Sequence, residues 1–328
     1  MGIGNARAKS ALGGPSGRVR DSALHGWAGA TPAIERCSAA PRVGRHAGLP
    51  AFPGTTRPLT CGARVARGGG ASAVMARRLV HGLLAVCTTA LCAASEPGTS
   101  QLIARADSAL ARRDFAGAVQ LYAQAFSADP ASYDAAWKLA RACNDAGEAA
   151  SRARERRALF ARAQSASASA IRLNPDGAWG HFHRGLALGR AAMDTSIGER
   201  MRVAKEVRVE FERAVALDST IVDGWDALGH WHRTMATLGW FERSFCDAFL
   251  GGVPKDAGVS TAAACFERAV ALEPQSLDHH LQLGMTREML GNKDAARREY
   301  QRVLDLPGAG AVDERKKSEA KKRLSGLR

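Results

Sequence analysis

The sequence predicts an all-α protein, a right-handed α-solenoid of about five helix pairs with a C-terminal capping helix. Three observations support this fold class. One phrase recurs at the end of each unit, a second phrase opens the helix that follows, and stop residues separate the units at repeated intervals. Self-similarity of this kind is the sequence signature of stacked helical repeats. We therefore place a helical repeat domain at residues 95–328.

The closing phrase has an aromatic residue three positions before a small residue, followed by an acidic residue or Asn and a stop. Ser167 takes the place of the aromatic residue in the second copy. On a helix, the i, i+3 spacing places both residues on one face, and proline then prevents the helix from continuing. The phrase predicts the ends of five second helices, at Pro130, Pro175, Ser219, Pro274 and Pro307.

The opening phrase begins with a bulky residue, followed three positions later by an apolar residue with a small residue beside it. We count Trp137, Trp179, Trp225 and His280 as the equivalent fourth positions of four first helices. The small residue lets the paired helix approach closely. This pattern is typical of tetratricopeptide units, whose first helices line a concave face.

The intervals between the stops are 45, 44, 55 and 33 residues, whereas a plain unit has about 34. The excess of about 11 and 10 residues predicts second helices lengthened at their starts, over Ser151–Gln164 and Thr195–Lys205. The larger excess, about 21 residues, predicts an insertion over Leu238–Gly258. A helix rich in Lys, Arg and Glu over Val312–Leu324 is predicted to cap the open end of the array.

The N-terminal part of the chain has a different character. Residues 1–74 are rich in Gly, Ala, Arg and Pro. We expect them to be a disordered extension, or sequence that lies upstream of the true start of translation. Residues 75–94 have the pattern of a signal peptide, with two arginines, an apolar run and small residues at its end. A start at Met75 predicts a periplasmic or secreted protein. The alternatives are an organelle-targeted protein, or a membrane-anchored one if residues 79–94 are not cleaved.

Charge and motif content exclude several function classes. The net charge is +14, but residues 1–78 hold 12 basic and 2 acidic residues, which leaves 34 and 30 for the rest of the chain. The repeat domain is therefore nearly neutral, and we expect no nucleic-acid partner. The seven cysteines form no CxxC pair, so we expect buried, unpaired thiols. No nucleophile elbow, HExxH motif or P-loop is present, and we predict neither an enzyme nor a cofactor.

A family resemblance rests on the insertion. Leu228–Arg243 reads LGHWHRTMATLGWFER, and Phe249–Pro254 reads FLGGVP. This combination resembles the regulator of microtubule dynamics family, and the resemblance extends from about residue 130 to 305. It implies a helical-repeat protein without a catalytic centre, often membrane-anchored and linked to microtubules or to mitochondrial contacts and lipid handling. The positions that match are Trp240, Phe241, Glu242, Arg243, Gly251 and Pro254.

The first helices supply the candidate binding residues. Their polar positions carry mixed charge, which suits a protein or peptide ligand held by hydrogen bonds and paired charges. We therefore predict a non-catalytic scaffold that binds its partner through the concave face; ordinary solvated helix faces are the other interpretation. The predicted groove residues are Lys138, Asp145, Arg184, Asp226, His230, Arg233 and Glu288.

Two further groups of side chains, aromatic residues and histidines, are candidates for ligand or metal binding. Aromatic residues cluster around the insertion, and we expect them to pack into the core as anchors of an additional helix; binding of a lipid or small apolar ligand by residues 238–258 is the alternative. Histidines come in three close pairs, but on a helix residues i and i+2 point about 200° apart and adjacent residues about 100° apart. No pair can therefore chelate as a unit, and we predict no metal site; convergence of one histidine from each of several helices on the concave face is the alternative. The aromatic residues are Trp225, Trp231, Trp240, Phe241, Phe245 and Phe249, and the pairs are His181/His183, His230/His232 and His279/His280.

Overall fold

A computed structural model of the chain describes residues 98–327, which form twelve α-helices and no strand. Short loops join most of them. In chain order they are α1 (Thr99–Ala111), α2 (Phe115–Ala128), α3 (Tyr133–Ala149), α4 (Ala153–Leu173), α5 (Ala178–Ala192), α6 (Ile197–Leu217), α7 (Val222–Ala236), α8 (Trp240–Phe249), α9 (Val259–Leu272), α10 (Leu277–Met289), α11 (Lys293–Asp305) and α12 (Gly310–Gly326).

The helices pack as five pairs: α1 with α2, α3 with α4, α5 with α6, α7 with α9, and α10 with α11. Each second helix also contacts the first helix of the following pair, and α12 packs on the last pair. The all-α solenoid of TPR-like pairs is confirmed. The lengthened second helices are confirmed as well, because α4 and α6 have 21 residues each, whereas α2 and α9 have 14.

Local chemistry explains where the helices begin and end. The side chains of Asp114, Ser132 and Ser196 each accept a hydrogen bond from a backbone N–H of the first turn, which satisfies a group that would otherwise lack a partner. At the other end, Asp129 and Asn174 leave the helical conformation, with φ of −136° and −143°. Both precede a proline, which disfavours the α conformation in the preceding residue.

In three of the pairs, a glycine of the first helix faces the aromatic ring of the second helix. A Cβ added at Gly185 would lie 2.6 Å from Phe211, and one added at Gly229 would lie 2.7 Å from Phe266. Gly284 has the same relation to Tyr300, at 2.6 Å. The two repeated phrases therefore meet in three dimensions, and these three pairs are closed by a ring packed on a bare helix backbone.

These contacts correct the register of one unit. The residues four positions before Gly185, Gly229 and Gly284 are His181, Trp225 and His280. The ring nitrogens of His181 and His280 lie 3.0 and 3.2 Å from the carbonyl oxygens of Pro175 and Pro274, and Trp225 Nε1 donates to the carbonyl of Ser219 at 3.0 Å. Trp179 is thus not the equivalent of Trp225, and that part of the prediction is wrong. The true equivalent, His181, lies two residues after Trp179, and the prediction chose Trp179 because its side chain is bulky.

Two glycines on α5 predict opposite stability effects. Gly185→Ala should destabilise the protein by about 1–3 kcal/mol, because its methyl group would overlap the buried Phe211 ring. Gly189→Ala should stabilise it by about 0.5–1 kcal/mol, because a helix-interior glycine is entropically costly. Its Cβ would lie 3.8 Å from Val207, an ordinary contact. Urea unfolding of the two variants checks this, and equal signs would contradict it.

The insertion forms the helix that was predicted, but its aromatic residues do not pack as expected. Cys246 on α8 is buried, and the ring of Phe245 lies against Gly198 on α6. Trp240, Phe241 and Phe249 are instead 81%, 65% and 73% exposed. A ten-residue helix with one packed face leaves its other side chains in solvent, so the expectation that these three residues anchor the insertion in the core is wrong.

The remaining predictions concern the cysteines, membrane-spanning helices and the N-terminal segments. Cys143, Cys246 and Cys265 are free and buried, as expected for the repeat region. Within residues 98–327, no helix has both the length and the apolar character needed to cross a bilayer. The predicted extension (residues 1–74) and the predicted signal peptide or anchor (residues 75–94) lie outside the described residues.

Candidate functional site

The first two predicted groove residues, Lys138 and Asp145, both lie on α3. Lys138 Nζ lies 2.9 Å from Asp107 of the preceding pair. Asp145 lies 3.9 Å from Arg141. Burial raises the pKa of the Asp145 carboxyl, and the guanidinium groups of Arg190 and Arg141 partly counter this rise. Lys138 therefore connects α3 to the preceding pair, whereas the ion pair of Asp145 lies within α3; both side chains keep a partly exposed edge.

Arg184 belongs to a three-residue cluster on the pair α5–α6. Its Nε donates to Glu210 at 2.9 Å, and His181 Nδ1 lies 2.7 Å from the other carboxylate oxygen. The second ring nitrogen of His181 faces the carbonyl of Pro175. The cluster ties the first helix, the second helix and the preceding loop of one pair together.

The same cluster recurs in the last pair. His280 Nδ1 lies 2.6 Å from Glu299, and Arg287 Nη1 lies 2.5 Å from the same carboxylate. Glu210 and Glu299 are not among the predicted groove residues. A signal for them exists, since each stands directly before the aromatic residue of its closing phrase, Phe211 and Tyr300.

Asp226, His230 and Arg233 on α7 are buried, and the Arg233 side chain is only 6% exposed. Arg233 Nη2 donates to Gln282 Oε1 at 2.6 Å and lies 3.1 Å from His230 Nδ1. Its Nη1 donates to Thr286 Oγ1 at 3.2 Å. These bonds connect α7 to α10. A ligand cannot reach these three residues in this structure, so the network binds adjacent pairs to each other.

Glu288, the last of the predicted groove residues, joins the fifth pair to the capping helix. Its carboxylate accepts a hydrogen bond from the Tyr300 hydroxyl at 2.5 Å and one from Arg323 of α12 at 3.1 Å. Sequence reasoning placed these charges on the correct helices. It could not show that neighbouring helices would bind most of them.

An aromatic stack lies between the first helices α3 and α5. The rings of Trp137 and Trp179 stack with centroids 5.4 Å apart, and His183 stacks on Trp137 at 5.8 Å. Both tryptophans are half-buried, whereas His183 is fully buried. Asn144 donates to the backbone carbonyl of His183 at 3.0 Å and so fixes the spacing of the two helices. Lys138 lies beside Trp137, so aromatic and charged surface adjoin here.

His183 is held in its neutral form. Burial, reinforced by the nearby Arg141 and Arg190 guanidinium groups, keeps the pKa of His183 well below its usual value. Burial also lowers the pKa of His232 on α7. Protonation of either ring would place a charge in the interior, beside existing positive charge in both cases.

This environment predicts a stability that falls in mild acid. Below about pH 6.5 the unfolded chain protonates His183 but the folded chain does not. The unfolded state then binds more protons, so the free energy of unfolding decreases as the pH falls, by up to about 1.4 kcal/mol per pH unit for each such histidine. His183→Phe keeps an aromatic ring in the stack and should flatten this dependence. Urea unfolding at pH 7.5, 6.5 and 5.5 tests it, and parallel profiles for both proteins would contradict it.

The two best-defined cavities within residues 98–327 are small. No group of three or more His, Cys, Asp or Glu side chains within residues 98–327 is arranged to hold a metal ion. The best-defined cavity has a volume of about 30 Å³ and is lined by α5, α6 and α7. The next, of about 10 Å³, lies between α8 and its neighbours. Such volumes suit about one water molecule.

The remaining candidate is the exposed aromatic face of α8. Gly251 and Gly252 have positive φ values of 70° and 85°, a conformation that glycine adopts without steric cost, and they turn the chain after this helix. Pro254 lies beneath α8 in the smaller cavity. The family-like residues Glu242 and Arg243 lie in the first turn of α8.

Comparisons with known proteins relate the repeat domain to one family. The sequence model described as "Regulator of microtubule dynamics protein 1-3" matches residues 102–328. Regulator of microtubule dynamics protein 1 of Bos taurus is 24% identical over 193 residues, which cover 58% of this chain and 61% of the relative. Protein 3 of Rattus norvegicus is 23% identical over 175 residues, which cover 53% of this chain and 37% of the relative. The matched region spans less than two thirds of either relative.

Solved structures of helical-repeat proteins also overlap with this chain. A thermophilic TPR protein of Thermus thermophilus gives a TM-score of 0.48 at 15% identity, covering 70% of this chain and 98% of that one. Yeast Tom70 gives a TM-score of 0.46 at 13% identity, covering 71% of this chain and 40% of Tom70. These overlaps are partial, and the fold assignment rests on the helix pairing described above.

Proposed function

Because this chain belongs to the regulator of microtubule dynamics family, we propose that it is a helical-repeat scaffold that binds a protein or peptide partner without transforming it. Stacked helix pairs offer an extended surface to a partner, and recognition by such a surface needs no chemistry. The partner would lie along the first helices, and side-chain complementarity would hold it.

The observation that carries this proposal is the half-buried stack of Trp137 and Trp179. Aromatic side chains that are partly exposed to solvent supply large contact areas at low entropic cost, and they are frequent anchors at interfaces. Lys138 and Asp145 add one charge of each sign on the same helix, α3. This surface fits a peptide in which an aromatic residue lies within a short stretch of mixed charge.

The proposal uses the predicted groove residues that keep an exposed edge: Lys138, Asp145, Arg184 and Glu288. It does not use Asp226, His230 or Arg233, because they are buried. The alternative of an enclosed lipid or small apolar ligand has no supporting observation, since the two best-defined cavities hold about 30 and 10 Å³. An acyl chain would need a far larger space.

A screen of overlapping peptides against the purified full chain, followed by titration of the best binder, tests this proposal. Trp137→Ala should weaken binding by about tenfold or more, as expected for an interface anchor. Trp225→Ala is the matched control: it also removes a half-buried tryptophan, one whose Nε1 binds Ser219 instead of facing the stack. Circular dichroism verifies that both variants fold. Equal losses in the two variants, or no peptide binding at all, would refute the groove assignment.

The compartment is a separate proposal, supported by the signal-like pattern of residues 75–94. We propose export of a chain that starts at Met75 and is cleaved after Ala94. N-terminal sequencing of the native protein tests both points at once. A mature protein that begins at Met1 would contradict them.

A further inference from the structure

One face of α8 is a continuous exposed stripe. Trp240, Arg243, Ser244, Asp247 and Ala248 occupy positions i, i+3, i+4, i+7 and i+8, which share one side of a helix. All except Ser244, which is partly exposed, are classed among the exposed residues. The opposite side holds Cys246, which is buried, and the stripe therefore points away from the solenoid.

The stripe carries two opposite charges that its own helix does not pair. Arg243 and Asp247 are four residues apart, but neither forms an ion pair within residues 98–327. In that same part of the chain, the only hydrogen bond seen for the Arg243 guanidinium is a long one of 3.5 Å to the carbonyl of Ala236. A basic residue that precedes an acidic one is also the weaker order for pairing within a helix. Both charges remain available to an external partner.

We infer that this stripe binds a second copy of the chain, through an antiparallel pairing of the two α8 helices about a two-fold axis. A two-fold interface requires a surface that is complementary to itself, and one positive and one negative charge on the same stripe satisfy that condition. Near the axis, Arg243 of one copy meets Asp247 of the other, and the pair forms twice. Ser244 and Ala248 are small enough to let the two helices approach closely.

The aromatic side chains supply the apolar area at both ends of this pairing. Trp240 begins the stripe and Phe241 borders it in the first turn of α8, so an antiparallel arrangement places the Trp240 and Phe241 rings of one copy at each end of the pairing. Given their exposed fractions of 81% and 65%, these two rings offer about 300 Å² of apolar surface. A standard interface buries about 800 Å² per partner. We therefore expect a reversible dimer of micromolar affinity instead of an obligate one.

The charges also distinguish a second copy from a bilayer. The Asp247 carboxylate lies in the middle of the stripe. It would be repelled by an anionic membrane surface and would lose its hydration in the apolar interior of a bilayer. In the paired arrangement the same carboxylate meets an arginine. The stripe is thus better matched by its own copy than by lipid.

Sedimentation velocity of the full chain between about 1 and 100 µM tests the inference. The wild type should show a concentration-dependent dimer. Arg243→Asp should weaken it by about tenfold or more, since like charges would then face each other. The double swap, Arg243→Asp with Asp247→Arg, should restore the dimer to within about threefold. Arg202→Asp, which alters an exposed arginine on α6, is the matched control and should leave the dimer intact.

A separate variant tests the contribution of the apolar side chains to the dimer. Trp240→Ala should weaken the dimer without lowering the unfolding midpoint measured at about 1 µM, because its ring makes few contacts within the chain. A monomer at every concentration would overturn the inference, and so would a dimer that is indifferent to Arg243→Asp. A monomer that binds vesicles of zwitterionic lipid, and loses this binding in Trp240→Ala, would also overturn it and assign the face to membranes.

Discussion

Arg233→Met is expected to destabilise the protein by about 3–5 kcal/mol, the usual cost of removing one partner from a buried charged network. The guanidinium makes hydrogen bonds to Gln282 and Thr286 on the neighbouring pair, and it lies 5.1 Å from the centre of the Phe266 ring. Methionine fills much of the same volume but donates no hydrogen bond. The junction between α7 and α10 would lose most of its polar connections at once.

Urea unfolding followed by circular dichroism measures this loss. Arg202→Met is the control, because Arg202 is an exposed arginine whose ion pair with Glu199 lies in solvent, and such pairs contribute about 0–1 kcal/mol. A change below about 1 kcal/mol in Arg233→Met would show that the network stabilises little. In a repeat protein the loss should also uncouple the last pair, which would unfold before the others.

Phe266→Ala is expected to cost about 3–5 kcal/mol, because the ring is fully buried and its removal leaves a cavity that the surrounding helices cannot close. Gly229→Ala should cost about 1–3 kcal/mol, because the added methyl group would lie 2.7 Å from the same ring. In the double variant, the methyl group enters the space that the ring has left. The combined loss should therefore be smaller than the sum of the two single losses.

A double-mutant cycle on the free energies of unfolding measures this coupling. A non-additive term of about 1 kcal/mol or more is expected for residues in direct contact. Strict additivity would mean that Gly229 and Phe266 do not contact each other in solution. The glycine–aromatic contact would then not be the element that closes this pair.

Much of the architecture could be read from local signals. The closing phrases predicted the ends of second helices, and α2 and α4 end at Ala128 and Leu173, shortly before Pro130 and Pro175. The interval lengths predicted the lengthened helices α4 and α6 and the insertion that contains α8. These features depend on residues close together in the chain, such as a proline that stops a helix or a serine that caps one.

The candidate site was less predictable, because its properties depend on contacts between distant residues. The sequence placed Arg233 on the correct helix, but Gln282 and Thr286, 49 and 53 positions further along, bury it. It also offered no reason for Trp240 to be exposed while Trp231, nine positions earlier, is buried and donates to the carbonyl of Ala204. The direction in which α8 packs on α6 decides that difference.

By itself, the sequence determined the helices, their order, their pairing and the family, because these follow from periodicity, stop residues and repeated phrases along the chain. Only the tertiary structure decided which polar side chains hold the pairs together and which aromatic side chains reach solvent. The physical reason is that a repeat fixes one face of each helix against its own pair, whereas the next pair determines what the other faces contact.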